Sequence, residues 1–400
     1  MQILRGPLIR VLIALAIAQV TGWGTVSLLA ILGRQIAADL QMNIAAVFAG
    51  NSVFYVAMGL CAPVLARAFI RFGARKAMMV GSVISALGFV GLALSNGPVA
   101  YFASWMILGG AGSATLTTAS YIALNELAGR DARSAIGALM LVTGLSSSIF
   151  WPTTAFLSDA LAWRATCLIY AAAMLLVCLP LYAFGLPRRI KIEHHDLKPL
   201  DVAATVPAPP TEKSTFYLIA ATISLNAFVT FGFSAVLVEL LKAEGLSPTD
   251  AVAFGSFLGV IQVSARAVDF LGGGRWDGIA TGLFAGAVLP IAMVILLAGH
   301  GTYWSIAIFI LLYGLSSGAL AVARATIPLV FYDKAAYAKA ASHIALPVNV
   351  IAAAASPLLV SVLIHWGTSA VLAIIILLAS GALLILLVLS RRRPSLHAAA

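Results

Sequence analysis

"ARAFIRFGARK" at residues 66–76 and "ARAVDFLGGGR" at residues 265–275 are two similar stretches, and each lies between long apolar runs. The flanking runs are long and apolar enough to cross a bilayer as helices. One constant offset aligns four residues of the first stretch with four of the second: Ala66, Arg67, Ala68 and Gly73 with Ala265, Arg266, Ala267 and Gly272. A duplicated half would produce this constant offset, so the repeat predicts two related halves.

The composition is typical of a membrane protein. Of the 400 residues, 62% are hydrophobic and only 10% are charged, whereas soluble domains carry about 25% charged residues. The net charge of +10 does not indicate nucleic-acid binding, because membrane proteins use basic residues to set their topology. Three cysteines lie inside apolar runs without paired ligand spacing. This pattern argues against a disulfide framework or a zinc site.

Twelve segments contain the roughly 20 mostly apolar residues that a membrane-spanning helix needs. They lie at 8–33, 44–66, 77–96, 100–127, 134–157, 163–186, 216–241, 251–271, 278–298, 303–330, 340–364 and 368–390. The polar segment between the sixth and seventh has the prolines and charges of a flexible linker. We therefore predict an all-α membrane protein with an N-terminal six-helix bundle at 1–187, a cytoplasmic linker at 188–215, a C-terminal six-helix bundle at 216–393 and a cytoplasmic tail at 394–400.

The distribution of basic residues predicts the orientation of these spans. With the N-terminus inside, most lysines and arginines fall on cytoplasmic segments, and only Arg34, Arg164 and Lys242 fall on the outer side. The positive-inside rule favours this orientation over its reverse. We expect a multi-pass protein of the inner (plasma) membrane with both termini in the cytoplasm.

The loop between the second and third spans resembles the signature of the major facilitator superfamily, G-x-x-x-D-R-x-G-R-[RK]. Here "IRFGARK" supplies most of that signature, with Ile70 where the family has aspartate. The resemblance implies two pseudo-symmetric six-helix bundles that rock about a central site, and a charged cytoplasmic gate. The gate residues that it implies are Arg67, Arg71, Gly73, Arg75, Lys76, Arg266 and Asp269. Because Ile70 removes the acid from the first copy, Arg266 and Asp269 are the pair that can still form a latch. Contact with lipid headgroups alone is the alternative role for the basic residues.

Polar and aromatic side chains within the spans are candidates for a central cavity. Arg324 keeps its charge at all accessible pH values, so it must face water, an acid or an anionic ligand, or else reach the headgroups. Polar residues of the fourth span share one helix face. The predicted cavity residues are Gln19, Trp23, Thr117, Thr118, Tyr121, Asn226, Phe231, Arg324 and Asn349. Interhelical hydrogen bonding and packing are the alternative roles.

Carboxylates are absent from the middle of every predicted span. A midspan acid is the usual means of binding a cation or shuttling a proton, so its absence argues against a polyspecific cation exporter. Glu126, near the cytoplasmic end of the fourth span, is the candidate for proton coupling. The fifth span lacks the glycine pattern that the resemblance implies for drug–proton antiporters, which favours import.

These features predict a secondary transporter that imports a neutral or anionic ring-bearing solute. Riboflavin is the named hypothesis, because the superfamily includes bacterial vitamin permeases. Proton-coupled efflux of amphipathic toxic compounds and a transporter-like solute receptor are the alternatives. An enzyme is not expected, because no nucleophile–base constellation or metal-ligand cluster is present in the sequence. We expect no cofactor, a monomeric protein, and the bilayer, a small-molecule substrate and protons as partners.

Overall fold

The computed structural model describes residues 6–128, 132–187, 213–272, 277–332 and 334–393. Within these ranges the chain is almost entirely helical and contains no strand. Helices satisfy every backbone N–H and C=O internally, which the water-free core of a bilayer requires. Most of the predicted linker, at 188–212, and the predicted tail at 394–400 lie outside the described residues.

Helices α1 to α6 precede the linker. Three of the first five helices contain a break: α1 comprises Gly6–Val26 and Leu29–Asp39, α2 is Ile44–Phe72, α3 is Ala74–Ala93, α4 comprises Pro98–Thr115 and Thr117–Ala128, and α5 comprises Ala132–Thr143 and the first part of Ser146–Ala173. The second part of Ser146–Ala173 begins α6, which continues through a π-helical turn at Met174–Cys178 to Leu179–Gly185.

Helices α7 to α12 follow the linker and repeat this arrangement. In chain order, α7 comprises Lys213–Ala227, a π-helical turn at Phe228–Gly232 and Phe233–Ala243, α8 is Pro248–Leu271, α9 is Gly278–Ala298, α10 is Tyr303–Phe331, and α11 and α12 share Lys334–Arg391.

Two backbone reversals establish the number of membrane crossings. By length and composition the described residues contain ten candidate spans, of which Ala135–Gly185 and Pro347–Arg391 have 51 and 45 residues. A straight helix of the shorter length would measure about 68 Å, more than twice the hydrocarbon thickness. Ala162 (φ 65°) and Gly367 (φ 78°) interrupt these two segments with left-handed backbone conformations, in gaps predicted between spans. Each segment therefore crosses twice, which confirms the prediction of twelve helices in an all-α membrane protein.

Several helices are longer than predicted. The first extends to Asp39, and α7 begins at Lys213, so the last three residues of the predicted linker are helical. The continuous helix of α11 begins at Lys334 rather than near residue 340. Polar helix ends can project beyond the hydrocarbon layer, and a search for apolar residues detects only the part inside it.

The alternation of the helices defines two faces of the molecule. The upper face carries the turns at 40–43, 94–97 and 244–247, and the lower face carries Gly73, which joins α2 to α3. Gly73 has a φ of 81°, a left-handed conformation that glycine adopts without steric cost. The predicted orientation makes the lower face cytoplasmic.

Glycines allow close contact between the fourth and the second helix of each half. The fourth helix of each half carries a glycine pair or triplet, "GGAG" at 109–112 and "GLSSG" at 314–318. In α4, a Cβ on Gly109 would overlap the carbonyl oxygen of Phe54 in α2, and in α10, a Cβ on Gly318 would overlap the carbonyl oxygen of Gln262 in α8. Small residues are enriched where membrane helices approach at the backbone. The same pair of helices therefore has a tight backbone contact in each half.

An ion cluster joins the two halves at the upper face. Glu239 of α7 is buried and forms ion pairs with Arg34 of α1 and with Lys242, whose Nζ is 3.1 Å from Glu239 Oε1. The buried carboxylate thus has two cationic partners from different parts of the chain, because a charge away from water requires partners.

Hydrogen bonds join the halves within the membrane. The hydroxyl of Ser52 in α2 donates to the carbonyl of Ala353 in α11. Arg266 in α8 donates from Nη1 to the carbonyl of Met140 in α5, at 3.1 Å. These contacts enclose the space between the halves along both seams, α2 with α11 and α5 with α8.

Replacing Gly109 by alanine is expected to destabilise the protein, although Gly→Ala in a helix interior usually stabilises it. The added methyl must displace the backbone of α2, and overpacking of this kind costs about 1–3 kcal/mol. We expect Gly109→Ala to lower the melting temperature of the purified protein in detergent by several degrees.

The neighbouring glycine is the matched control. Among the described residues, a Cβ on Gly110 meets only Cys61 Sγ, at 3.5 Å, so Gly110→Ala should leave the melting temperature unchanged or raise it. Equal melting temperatures for the two variants would show that α2 and α4 have no tight backbone contact at Gly109.

Candidate functional site

A cavity of about 200 Å³ lies between the two halves. Its wall contains residues of α1, α2, α5, α7, α8 and α10. The polar residues of the wall are Ser27, Asn51, Tyr55, Thr230, Ser234, Gln262, Arg266, Ser317 and Arg324, and its other aromatic residues are Trp23, Trp151 and Phe231. No carboxylate is among the described residues that line it.

Arg324 provides one positive charge at this cavity. Its guanidinium carbon lies 4.5 Å from the centroid of the Phe231 ring, a cation–π arrangement. Tyr55 continues the aromatic surface, with its ring centroid 6.1 Å from that of Phe231. In the described part of the chain Arg324 forms no ion pair with a carboxylate. Its side chain therefore faces the cavity rather than the headgroups.

Arg266 provides the second positive charge. Besides the bond from Nη1 to the Met140 carbonyl, its Nε is buried and has no hydrogen-bond partner among the described residues. A guanidinium keeps its charge and offers five N–H donors, and a buried donor without a partner is costly. Both arginines line the same small space, so the cavity has the donors and the charge to bind an anion.

The expected latch between Arg266 and Asp269 is absent from the described structure. Instead, Asp269 Oδ1 accepts a hydrogen bond from Thr281 Oγ1 of α9, at 2.8 Å. Side chains of an α-helix point toward its N-terminus, which for α8 is the upper face. Arg266 therefore extends upward into the cavity and away from Asp269. This placement moves Arg266 from the predicted gate to the cavity wall.

The other predicted gate residues lie at the lower face. Arg71 and Lys76 are exposed and Arg75 is half-buried. The Arg71 guanidinium packs over the ring of its neighbour Phe72, with 5.2 Å from its central carbon to the ring centroid. The side chain of Arg67 lies outside the described part of the structure.

The remaining predicted cavity residues divide into two groups. Trp23 and Phe231 line the cavity, and Thr117 lies beside it, because its hydroxyl accepts a 2.9 Å hydrogen bond from Trp23 Nε1. The others with described side chains are absent from the cavity wall: Gln19, Tyr121, Asn226 and Asn349.

Gln19 and Asn349 contact neighbouring helices. Gln19 is buried and donates to the Thr115 carbonyl of α4 at 2.7 Å, and Asn349 faces Gly59 of α2. Interhelical hydrogen bonding explains Gln19, and packing against α2 explains Asn349, without a ligand. Asn226 is also buried, and its Oδ1 has no hydrogen-bond partner in the described structure. The side chains of Thr118 and Glu126 lie outside the described residues.

Several cavity residues were not predicted from the sequence. Gln262 lies one helical turn before Arg266 and donates to Ser317 Oγ at 2.9 Å, and Ser317 lies two turns before Arg324. Helical spacing from the two arginines would have identified both. Thr230, next to the predicted Phe231, belongs to the π-helical turn of α7. Such turns often occur at functional sites.

Trp151 closes the side of the cavity between α5 and α8. Its Nε1 donates to Ser27 Oγ at 3.2 Å, at the break in α1. The indole packs against Gly255 of α8, where a Cβ would lie 2.5 Å from it. Because only glycine leaves room for the indole, this contact brings α5, α8 and α1 together.

Sequence comparison identifies a family and two partial relatives. The model of the Major Facilitator Superfamily matches residues 11–275, about two thirds of the chain. A 105-residue segment is 30% identical to "Monocarboxylate transporter 11" of Mus musculus and to "Monocarboxylate transporter 13" of Bos taurus. It covers 26% of this chain and 24% and 25% of those proteins. The match therefore spans about a quarter of each curated relative.

Solved transporter structures share the fold over nearly the whole chain. The nucleoside transporter NupG (D323A mutant) has a TM-score of 0.74 at 13% identity, covering 96% of this chain and 99% of that one. A bacterial homologue of the human lysosomal transporter Spinster, in an inward-facing unoccupied conformation, has a TM-score of 0.71 at 14% identity, with coverages of 98% and 99%. The human organic anion transporter MFSD10 has a TM-score of 0.68 at 18% identity, covering 96% of this chain and 100% of that one. The family match and the twelve-helix fold together show that the chain belongs to the Major Facilitator Superfamily.

Proposed function

We propose that this secondary transporter carries a small ring-bearing organic anion, with the carboxylate bound between Arg266 and Arg324. The observation that carries the proposal is a central cavity that is lined, among the described residues, by two guanidinium groups and no carboxylate. Guanidinium groups match carboxylates in charge and in the geometry of their hydrogen bonds. Two like charges repel each other strongly in a low-dielectric space. An anion bound between the two guanidinium groups would offset this repulsion.

The size and walls of the cavity support a compact aromatic substrate. A volume of 200 Å³ corresponds to about seven waters at roughly 30 Å³ each, which suits an acid the size of benzoate. The rings of Trp23, Tyr55 and Phe231 can pack against its apolar part, since aromatic pairs favour edge or offset contact. Riboflavin remains the second hypothesis, although its neutral and much larger ring system is less compatible with the volume and the charge.

Three of the five named proteins carry an anionic substrate by name. Two are monocarboxylate transporters and one structural neighbour is an organic anion transporter. The names of the other two, a nucleoside transporter and a Spinster homologue, do not specify an anion.

The orientation and coupling are also part of the proposal. We place the lower face in the cytoplasm of an inner membrane because basic residues favour that side. We propose import coupled to protons, with alternating exposure of the cavity to the two faces.

A flux assay should establish the substrate class. Cells with and without the protein receive labelled benzoate or labelled riboflavin, each with and without a protonophore. We expect benzoate to accumulate several-fold above the control and the protonophore to abolish that accumulation. Riboflavin accumulation without benzoate uptake would replace the anion proposal, and depletion of either compound below the control would show export.

Arg324→Gln is expected to reduce benzoate uptake by at least tenfold in proteoliposomes. The reason is the loss of a charge-assisted hydrogen bond, which contributes about 1.5–3 kcal/mol. Arg324→Lys should retain part of the activity, because lysine keeps the positive charge but lacks the planar set of N–H donors of a guanidinium.

Arg391→Gln is the control, since Arg391 is exposed at the lower end of α12. It should transport at the wild-type rate. Size-exclusion profiles and reconstitution yields must match for all variants. Wild-type uptake by Arg324→Gln would exclude this arginine from substrate binding.

Glu239→Gln is expected to loosen the upper face. Arg34 and Lys242 would lose the carboxylate that holds them together, so the state open to the upper face should be more populated. Maleimide labelling of Ser27→Cys from that face, with the three native cysteines replaced, should increase several-fold.

Glu244→Gln provides the comparison for this experiment. Glu244 lies at the end of the same helix and forms no ion pair within the described chain. In the Glu244→Gln variant, Ser27→Cys should be labelled at the same rate as in the protein that carries Ser27→Cys alone. Equal rates for both glutamine variants would mean that the ion cluster does not hold the upper face closed.

A further inference from the structure

A second, larger hollow lies on the side of the molecule between α5 and α8. This lateral groove has a volume of about 610 Å³, three times that of the central cavity. Its apolar lining includes Pro152, Ala155, Phe156, Ala253 and Phe257. Nothing in the transport of a small anion requires it, because the groove and the central cavity have no lining residue in common.

Trp151 separates the two spaces. Its indole lies in the central cavity wall and packs against Gly255, while the next residue, Pro152, lines the groove. The hydroxyl of Ser148 also donates to the carbonyl of Ser256 across the seam. The two helices are therefore in contact at their crossing and diverge toward the upper face, where the groove opens.

The groove faces the hydrocarbon layer. Phe156 and Phe257 are 71% and 64% exposed, and Val260 is 45% exposed. All three lie within membrane-spanning helices, where exposed apolar side chains contact lipid. An apolar hollow on this surface suits an acyl chain better than water, since water there would find few hydrogen-bond partners.

The upper end of the groove is polar and contains the two charged residues of its lining, Lys242 and Asp159. Lys242 lies next to the last residue of α7, and Asp159 lies three residues before the reversal at Ala162. Both therefore lie at headgroup depth. Lys242 uses its ammonium to bond Glu239, but an ammonium has three donors, so it can also bind a phosphate. Asp159 is exposed and can accept from an amine.

We propose that the lateral groove binds one phospholipid with a zwitterionic, primary-amine headgroup, from the leaflet at the upper face. Its acyl chain lies between α5 and α8, its phosphate contacts Lys242 and its ammonium group contacts Asp159. The opposite charges of the two residues select this headgroup over an anionic one. Because α5 and α8 belong to different halves, the bound lipid contacts both and stabilises the arrangement in which they diverge at the upper face.

Native mass spectrometry of the full-length protein tests the proposal directly. The purified protein is mixed with equal amounts of phosphatidylethanolamine and phosphatidylglycerol, and the lipid retained after activation is identified. We expect one retained phosphatidylethanolamine, at least fivefold more abundant than phosphatidylglycerol. Ala253→Phe fills the groove and should reduce that retention at least fivefold. Ala155→Phe, from the α5 side, provides a second filling variant should the first fail to fold.

Ala103→Phe is the matched control, because Ala103 is an exposed residue in the upper part of α4 and does not line the groove. It should retain the lipid as the wild type does. Asp159→Asn should remove the preference for phosphatidylethanolamine while leaving an acyl chain bound. Equal retention by the groove-filling variants and Ala103→Phe would overturn the site, and equal binding of the two lipids by the wild-type protein would overturn the headgroup assignment.

Discussion

The bilayer requires that polar groups be satisfied inside the protein, and this constraint organises the whole structure. Backbone groups meet the requirement through helices. Side chains meet it by facing other helices or an aqueous cavity, so Gln19 bonds the α4 backbone while Arg266 and Arg324 turn toward the space between the halves. The same helices that bury these polar groups also enclose the cavity, so one constraint determines both the packing and the site.

The fold could be predicted in large part because hydrophobicity within a membrane is a strong constraint. The twelve spans follow from runs of about 20 apolar residues, and both reversals fall in predicted gaps. The ends of the helices could not be predicted as well. Lys213 and Lys334 begin helices beyond the apolar runs, where hydropathy carries no information about backbone conformation.

The site was less predictable, because polarity in a span shows that a side chain faces inward without showing what it faces. Trp23, Phe231 and Arg324 line the cavity, whereas Gln19 and Asn349 face other helices. Arg266 was expected at the cytoplasmic gate, but its side chain points toward the upper face and lines the cavity. Gln262 and Ser317 were missed, although each lies a whole number of turns from a cavity arginine.

The distribution of charge over the two faces has an electrostatic consequence for kinetics. At the upper face the two cations of the ion cluster are offset by Glu239, Asp159 and Glu244, whereas the exposed bases Arg71 and Lys76 lie at the lower face. A positive field raises the local concentration of anions and their rate of encounter, and dissolved salt screens it over about 8–10 Å at physiological strength. For an anionic substrate, encounter from the lower face would then depend on ionic strength more than encounter from the upper face.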